Sequence, residues 1–330
     1  MAEKKLKTES SKIPHIKTLS REAINRIKQT SNNSDHLSGL KSGFDDLDKI
    51  THGWQSGDLV VISARPSMGK TAFILSMALN MAKENIPVSI FSIEQTFSQL
   101  TNRLISNCCE IPMEKLATGT LLNYEWEQLD YKIKDLQDLS LYINCPARLS
   151  IESLSNDARK LVKEYGVKAI FVDYLQLLTV SEKYPDRYNE VNHITRELKA
   201  LAKELDITFF AISQMNRENE KRQGAEGKRP QLTDLRDSGT ICEDADIVYF
   251  IHRPEYYKIL EDDKGNDLRG LAEIIIAKHR NGDMGDVLLR FKRDFCRFEN
   301  FDYQYNTNYF RDLQNLNKDN KASENNFVPF

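Results

Sequence analysis

The stretch LVVISARPSMGKTAFILSMA, residues 59–78, decides the fold. An apolar run at 59–63 has the length of a buried strand, and helix formers follow from residue 70. Between them, ARPSMGKT matches x-x-x-x-x-G-K-[ST], with Ala64 where the strict pattern has glycine. The pattern has a physical reason at each end. Gly69 lets backbone N–H groups approach phosphates closely, and the helix that starts there adds partial positive charge. Lys70 reaches the β- and γ-phosphates, and the Thr71 hydroxyl ligates Mg²⁺. A chance G-K-T in a turn would not be framed by strand and helix. Ala64, Arg65, Pro66, Ser67, Met68, Gly69, Lys70 and Thr71 are therefore the candidate nucleotide-binding set.

Outward from this loop the chain alternates strand and helix. Strands are expected at 59–63, 88–93, 141–144, 169–173, 208–213, 247–252 and 273–278. Helices are expected at 70–84, 98–109, 124–136, 151–165 and 188–205. Runs such as AIFVD and ITFFAIS are apolar throughout, as strands are when helices cover both faces of a parallel sheet. The fold class is α/β, with a mostly parallel central sheet flanked by helices. Residues 287–292 and 296–298 add a C-terminal antiparallel hairpin. In such sheets the C-terminal strand ends face the ligand. Asp173 ends AIFVD and can hold Mg²⁺ through water. Glu94 ends VSIFSIE, a strand expected beside the phosphate-loop strand, and can polarise an attacking water. Gln214 ends ITFFAISQ, where its amide can sense a γ-phosphate.

Composition narrows the partners. The 330 residues carry a formal net charge of −3, so contact with nucleic acid must be local rather than spread over the surface. Segment 216–239 supplies a local basic patch: Arg217, Lys221, Arg222, Lys228, Arg229 and Arg236, interspersed with three glycines. Such a segment is either a solvated charged loop or, where its backbone can meet phosphates, a site for sequence-independent binding of nucleic acid. The five cysteines, Cys108, Cys109, Cys145, Cys242 and Cys296, form no C-x-x-C pair and are odd in number, which points to reduced thiols in a cytoplasmic protein. The charged N-terminus lacks an apolar signal core, and no apolar run approaches the ~20 residues that span a bilayer. Apolar residues at 16, 19, 23, 24 and 27 predict an amphipathic helix with a flexible linker after it, at 30–36. Such a helix must dock its apolar face on another surface. The last 31 residues contain eight Asn without periodicity and are expected to be mobile.

The series ARPSMGKT, FSIEQ, IFVDYLQLL, ISQMNR, LTDLRDSGTICEDADIV and IIIAKHRNG resembles the RecA-like motor domain of DnaB-type replicative helicases. The likeness covers about 37–298, and LRDSG and AKHRNG are not general ATPase features. It implies three segments: a tail, linker helix and linker at 1–36, the motor at 37–300, and a tail at 301–330. It also implies ATP and Mg²⁺ as cofactors, a homohexameric ring and single-stranded DNA in its channel. Primase and a helicase loader are the further partners it suggests. Residue by residue, the resemblance makes Glu94 the catalytic base and Asp173 the metal-associated acid. Arg103 becomes an active-site arginine, and Gln214 couples nucleotide state to the DNA loop. Arg236, Asp237 and Gly239 track DNA, with Arg229 on the same loop. Lys278 and Arg280 reach the neighbouring subunit's nucleotide, with Arg280 as the arginine finger. The segment HIKTLSREAINRIK looks like the family's linker helix. This sequence has IEQ where the family usually has LEM, and Asp237 where Glu is common. Only about 35 residues precede the motor, so the family's helical N-terminal domain is expected to be missing. Two other activities share the phosphate loop: a RecA-like DNA-dependent ATPase that does not unwind, and a helicase regulator.

Overall fold

The computed structural model describes residues 14–32, 37–182, 184–216, 222, 224–235 and 238–302. The apolar runs form strands β1 (Leu59–Ala64), β2 (Val88–Ser92), β3 (Leu141–Asn144), β4 (Ala169–Asp173), β5 (Thr208–Gln214) and β6 (Ile247–His252). Every residue of β1, β2, β4 and β6 is buried, whereas the edge strand β3 is half-buried throughout. Three more strands follow: β7 (Leu271–His279), β8 (Gly285–Lys292) and β9 (Arg297–Asn300). The nine strands form one sheet in the order β3-β2-β4-β5-β1-β6-β7-β8-β9. Pairing is parallel from β3 through β6 and antiparallel from there to β9. The expected hairpin of β8 and β9 is thus the end of a three-stranded antiparallel extension. β7 pairs antiparallel with β6 because no helical crossover separates them.

Helices cover both faces. On one face α3 (Lys70–Lys83) buries Phe73, Ile74, Met77 and Met81 against β1 and β2. Aromatic rings fill the space between: Phe44 stacks on Phe73 at 5.4 Å, and the Trp54 ring meets Phe210 edge-on at 5.3 Å. On the other face α7 (Ile151–Tyr165) and α8 (Arg187–Leu205) bury Leu154, Ile194 and Leu198. Their starts carry the sequence signals expected of helix caps. Ser150 accepts from the Ser153 N–H at 3.2 Å, and Asp186 from that of Asn189 at 2.8 Å. Smaller elements complete the layers: α2 (Asp45–Thr51), α4 (Phe97–Cys109), α5 (Met113–Thr118), α6 (Asn123–Gln137), α9 (Gly224–Lys228) and α10 (Ser238–Asp244). Of these, α2, α5, α9 and α10 escaped the sequence reading because two turns or fewer are too short to show a period.

The amphipathic helix α1 runs Ile16–Asn32, so 30–32 of the expected linker are helical, while 33–36 lie outside the described residues, as does the Asn-rich segment 303–330. Its apolar side chains remain open, with Ile16 70% and Ile27 67% exposed. Among the described residues no helix is long and apolar enough to cross a membrane.

His252, at the end of β6, is buried and stacks on Tyr257 at 5.6 Å. Burial, and secondarily the Arg229 guanidinium, pushes its pKa down from 6.5 to about 4. The unfolded chain therefore takes up the proton first. Stability is complete above pH 6.5 and is lost as pH falls toward 4, by roughly 3 kcal/mol. His252→Phe should lose less stability than the wild type between pH 7 and pH 4.5 in urea titrations. Equal losses would exclude His252 as the responsible group.

Candidate nucleotide site

The site lies where the parallel strands end. A cavity of about 840 Å³ opens beyond the C-terminal ends of β1, β4, β5 and β6. Its floor is the phosphate loop. Pro66, Ser67, Gly69, Lys70 and Thr71 line it, whereas Ala64 and Met68 are core residues and Arg65 is buried with its guanidinium on the Asn216 carbonyl at 3.3 Å. Gly69 starts α3 with φ of 99°, and a Cβ there would lie 3.2 Å from the Phe298 ring. Backbone conformation and space both select glycine at this position.

Charged groups converge above that floor. The Lys70 ammonium donates to the Ala64 carbonyl at 2.9 Å and to that of Arg65 at 3.2 Å. The Thr71 hydroxyl donates to the Asp173 carboxylate at 2.8 Å. Burial above all pushes the Asp173 carboxyl up from 3.8 to about 6. Glu94 adds to that rise, while the Thr71 bond, Lys70 and Arg103 oppose it. Burial likewise brings Lys70 down from 10.5 to about 8, with Asp173 and Glu94 opposing. Each charge is under-solvated, so a phosphate oxygen near Lys70 and a cation near Asp173 would restore what burial removes. The Thr71 and Asp173 oxygens fit a hard divalent cation such as Mg²⁺.

Glu94 stands two residues past β2, exposed, in the bend that leads to α4. The expectation that its strand adjoins β1 is wrong: β4 and β5 lie between them. It reaches the cavity because Ser92 pairs with Asp173 and the Ile93 N–H donates to the Asp173 carbonyl at 2.9 Å. Helix α4 then begins at once, fixed by a capping box in which Thr96 and Gln99 exchange bonds of 3.0 and 3.3 Å. That start brings Arg103 onto the cavity wall, with its guanidinium 3.7 Å from the Cys296 sulfur. Gln214 lines the same cavity, and its backbone N–H donates to Gln176 at 3.4 Å.

Several lining residues were missed in the sequence. Arg253, Glu255, Tyr256 and Lys258 follow β6, the strand beside β1. The strand-end rule that found Asp173 could have found them. Phe291, Arg293 and Cys296 come from the antiparallel extension, where no local pattern marks them. The Arg253 guanidinium lies 4.2 Å over the Phe291 ring, and that ring is 4.6 Å from Phe298. Among the described residues the lining holds five cationic side chains and three carboxylates, a balance that favours a polyanion.

Lys278 and Arg280 are not in this cavity. His279 pairs with Ile247, which pairs with Val60 at the start of β1, so both cations sit at the opposite end of the strand from Gly69. The Lys278 ammonium rests on the carbonyls of Cys242 and of Ala245, the latter at 2.7 Å. Arg280 donates to the Glu243 carbonyl at 2.5 Å and to Asp246 at 3.3 Å.

The loop after Gln214 is pinned at both ends. The Asn216 N–H donates to the Asp234 carbonyl at 2.8 Å, and Arg222 pairs with the Asp234 carboxylate. Arg229, expected on the DNA-tracking loop, has its guanidinium held by Asp286 at 2.6 Å and lies 3.5 Å from Glu273. Arg236 and Asp237 lie outside the described residues, and Gly239 is in α10. Arg229→Gln is therefore expected to lower DNA-stimulated ATPase by loosening the loop, with the salt dependence of DNA binding unchanged. A log–log slope shallower by about one would instead make Arg229 a phosphate contact.

The description "DnaB-like helicase C terminal domain" matches residues 39–300. The chain belongs to that family. It is 40% identical over 304 residues to the replicative DNA helicase DnaB of Rickettsia typhi, covering 85% of this chain and 61% of that protein. It is 38% identical to the replicative DNA helicase DnaC of Bacillus subtilis, covering 90% and 64%. The chain thus spans about six-tenths of the length of these relatives. Among solved structures, a DnaB-like replicative helicase, described with its interactions with primase, superposes with a TM-score of 0.77 at 34% identity, over 88% of this chain and 67% of that one. A separately solved ATPase domain gives 0.79 at 34% identity over 87% and 99%. These neighbours share the mostly parallel sheet with flanking helices.

Proposed function

We propose that this chain is the ATP-hydrolysing motor of a ring-shaped replicative DNA helicase that translocates on single-stranded DNA in the cytoplasm. The observation that carries the reading is the division of charged groups. Lys70, Thr71, Asp173, Glu94 and Arg103 meet in one cavity, while Lys278 and Arg280 lie at the far end of β1. A second protomer placed head to tail would bring the far end of one subunit to the open cavity of the next, and a contact of that kind whose rotation closes on repetition makes a ring.

The chemistry follows from the groups. Lys70 and the N–H groups at the start of α3 bind the β- and γ-phosphates of ATP. Thr71 and Asp173 hold Mg²⁺, which when bound offsets charge on the phosphate oxygens. Glu94 accepts a proton from the attacking water. Arg103 lies against the same phosphates, and Gln214 links the γ-phosphate to the loop that follows β5. Arg236, Asp237 and Gly239 are assigned to the DNA backbone through their family motif. The exposed face of α1 is assigned to the adjacent protomer of a homohexamer. Primase and a loader are partners carried over from the relatives' replicative role.

Strand displacement on a forked duplex, with ATP and Mg²⁺, tests the proposal, with native mass read in parallel. Six protomers and ATP-dependent displacement are expected. DNA-stimulated hydrolysis without displacement would make the chain a non-unwinding DNA-dependent ATPase.

A further inference from the structure

The Arg280 side chain is half exposed, but the carboxylate that faces it is buried. Asp246 is 3% exposed, and each of its polar atoms has a defined task. One carboxylate oxygen accepts from the Leu59 N–H at 2.9 Å and from the Lys199 ammonium. Lys199 is itself tied to the Gly57 carbonyl at 2.7 Å and lies 3.9 Å from Asp58. The other carboxylate oxygen faces the Arg280 guanidinium at 3.3 Å. The backbones are joined too: the Asp246 N–H donates to the Leu59 carbonyl at 2.9 Å, and the Arg280 N–H to the Asp246 carbonyl at 2.8 Å. A second guanidinium nitrogen donates to the Glu243 carbonyl at 2.5 Å.

We infer that Asp246 is the positioning residue of the Arg280 finger. The inference rests on the proposal that Arg280 acts on the neighbouring protomer's nucleotide. A free arginine samples many rotamers, a freedom that a trans-acting group must lose to reach one geometry. Asp246 removes much of that freedom before the neighbour arrives. Its own position is set by the first residue of β1, the strand that leads into the phosphate loop. Lys199 already balances the oxygen that faces the sheet, so the second oxygen is available for the finger. Two carboxylates, Asp58 and Asp246, are matched there by two cations, Lys199 and Arg280. The arrangement leaves 47% of the Arg280 side chain exposed at the face that would meet the next subunit.

The test is a double-mutant cycle on DNA-stimulated ATPase in the full chain, with Asp246→Asn, Arg280→Ala and the pair. Asn keeps an acceptor for the Leu59 N–H and removes the charge that aims Arg280. Asp246→Asn is expected to lower kcat by about 10–100-fold, the scale of a misplacement of about 1 Å, with KM for ATP little changed. Added to Arg280→Ala, it should have no further effect on kcat. A purely structural role would instead lower activity by the same factor in both backgrounds, and that outcome overturns the inference. So does a rise in kcat, which would make Asp246 a latch that withholds the finger. If the Asn variant does not fold, Asp246→Glu enters the same cycle with the charge kept and displaced by one methylene. Should Arg280→Ala alone leave kcat unchanged, the trans-finger proposal itself fails. Loss of activity in Arg280→Ala combined with additivity at Asp246 defeats only the present inference.

Discussion

Glu94→Gln is expected to bind ATP as the wild type does and to hydrolyse it about 10²–10⁴-fold more slowly. The amide keeps the size and much of the hydrogen bonding of the carboxylate, but it cannot take a proton from water. The geometry makes this substitution clean, because Glu94 is exposed in a bend and does not support the core. The measurements are nucleotide affinity by fluorescence or calorimetry and turnover under saturating ATP. Turnover within a few-fold of the wild type would mean that another group is the base.

Arg280→Ala should also bind ATP in its own cavity and lose about 10³–10⁵-fold in turnover, the range seen for arginine fingers. A guanidinium that meets the γ-phosphate only as charge develops lowers the barrier without tightening ground-state binding. The sharper experiment mixes Arg280→Ala with Glu94→Gln subunits under conditions of exchange. Where an Arg280→Ala protomer supplies Glu94 and a Glu94→Gln protomer supplies Arg280, one interface carries a complete site. Partial recovery of ATPase is therefore expected. If Arg280 served its own subunit, no mixture would contain a complete site and activity would stay flat. A flat result in rings shown by mass to be mixed would remove the inter-subunit mechanism. The fold already argues against the in-subunit alternative. Arg280 stands at the start of β1 and the phosphate loop at its end, on the order of 15–20 Å along the strand.

Sequence and structure divide the explanation unevenly. Elements longer than about ten residues, such as α3, α7 and α8, were legible because their period and caps are local properties of the chain. So were the strands buried on both faces, where continuous apolar runs are required. Helix α1 outran its apolar pattern to Asn32, because polar residues continue a helix once it is nucleated. The fate of Arg229 was not legible. A cation in a basic loop reads as a phosphate contact, and only the approach of β7 and β8 reveals Glu273 and Asp286 beside it.

The chemistry of the candidate site is written in short motifs, and the sequence alone was sufficient to name Lys70, Thr71, Glu94 and Asp173. Each sits at or just beyond a strand end or a helix start, so its neighbourhood follows from residues a few places away. Strand order is a different kind of fact. It depends on which apolar runs pair across tens of residues to well over a hundred, through backbone bonds that carry no residue-specific label. Only the folded sheet placed β4 and β5 between β1 and β2, and brought Phe291, Arg293 and Cys296 to the cavity wall. The same pairing carried Lys278 and Arg280 to the opposite end of β1, with the Asp246 carboxylate beside the Arg280 guanidinium. Local chemistry is encoded locally. The distances between its parts arise from burial and backbone pairing over the whole domain, and those are settled only when the chain has folded.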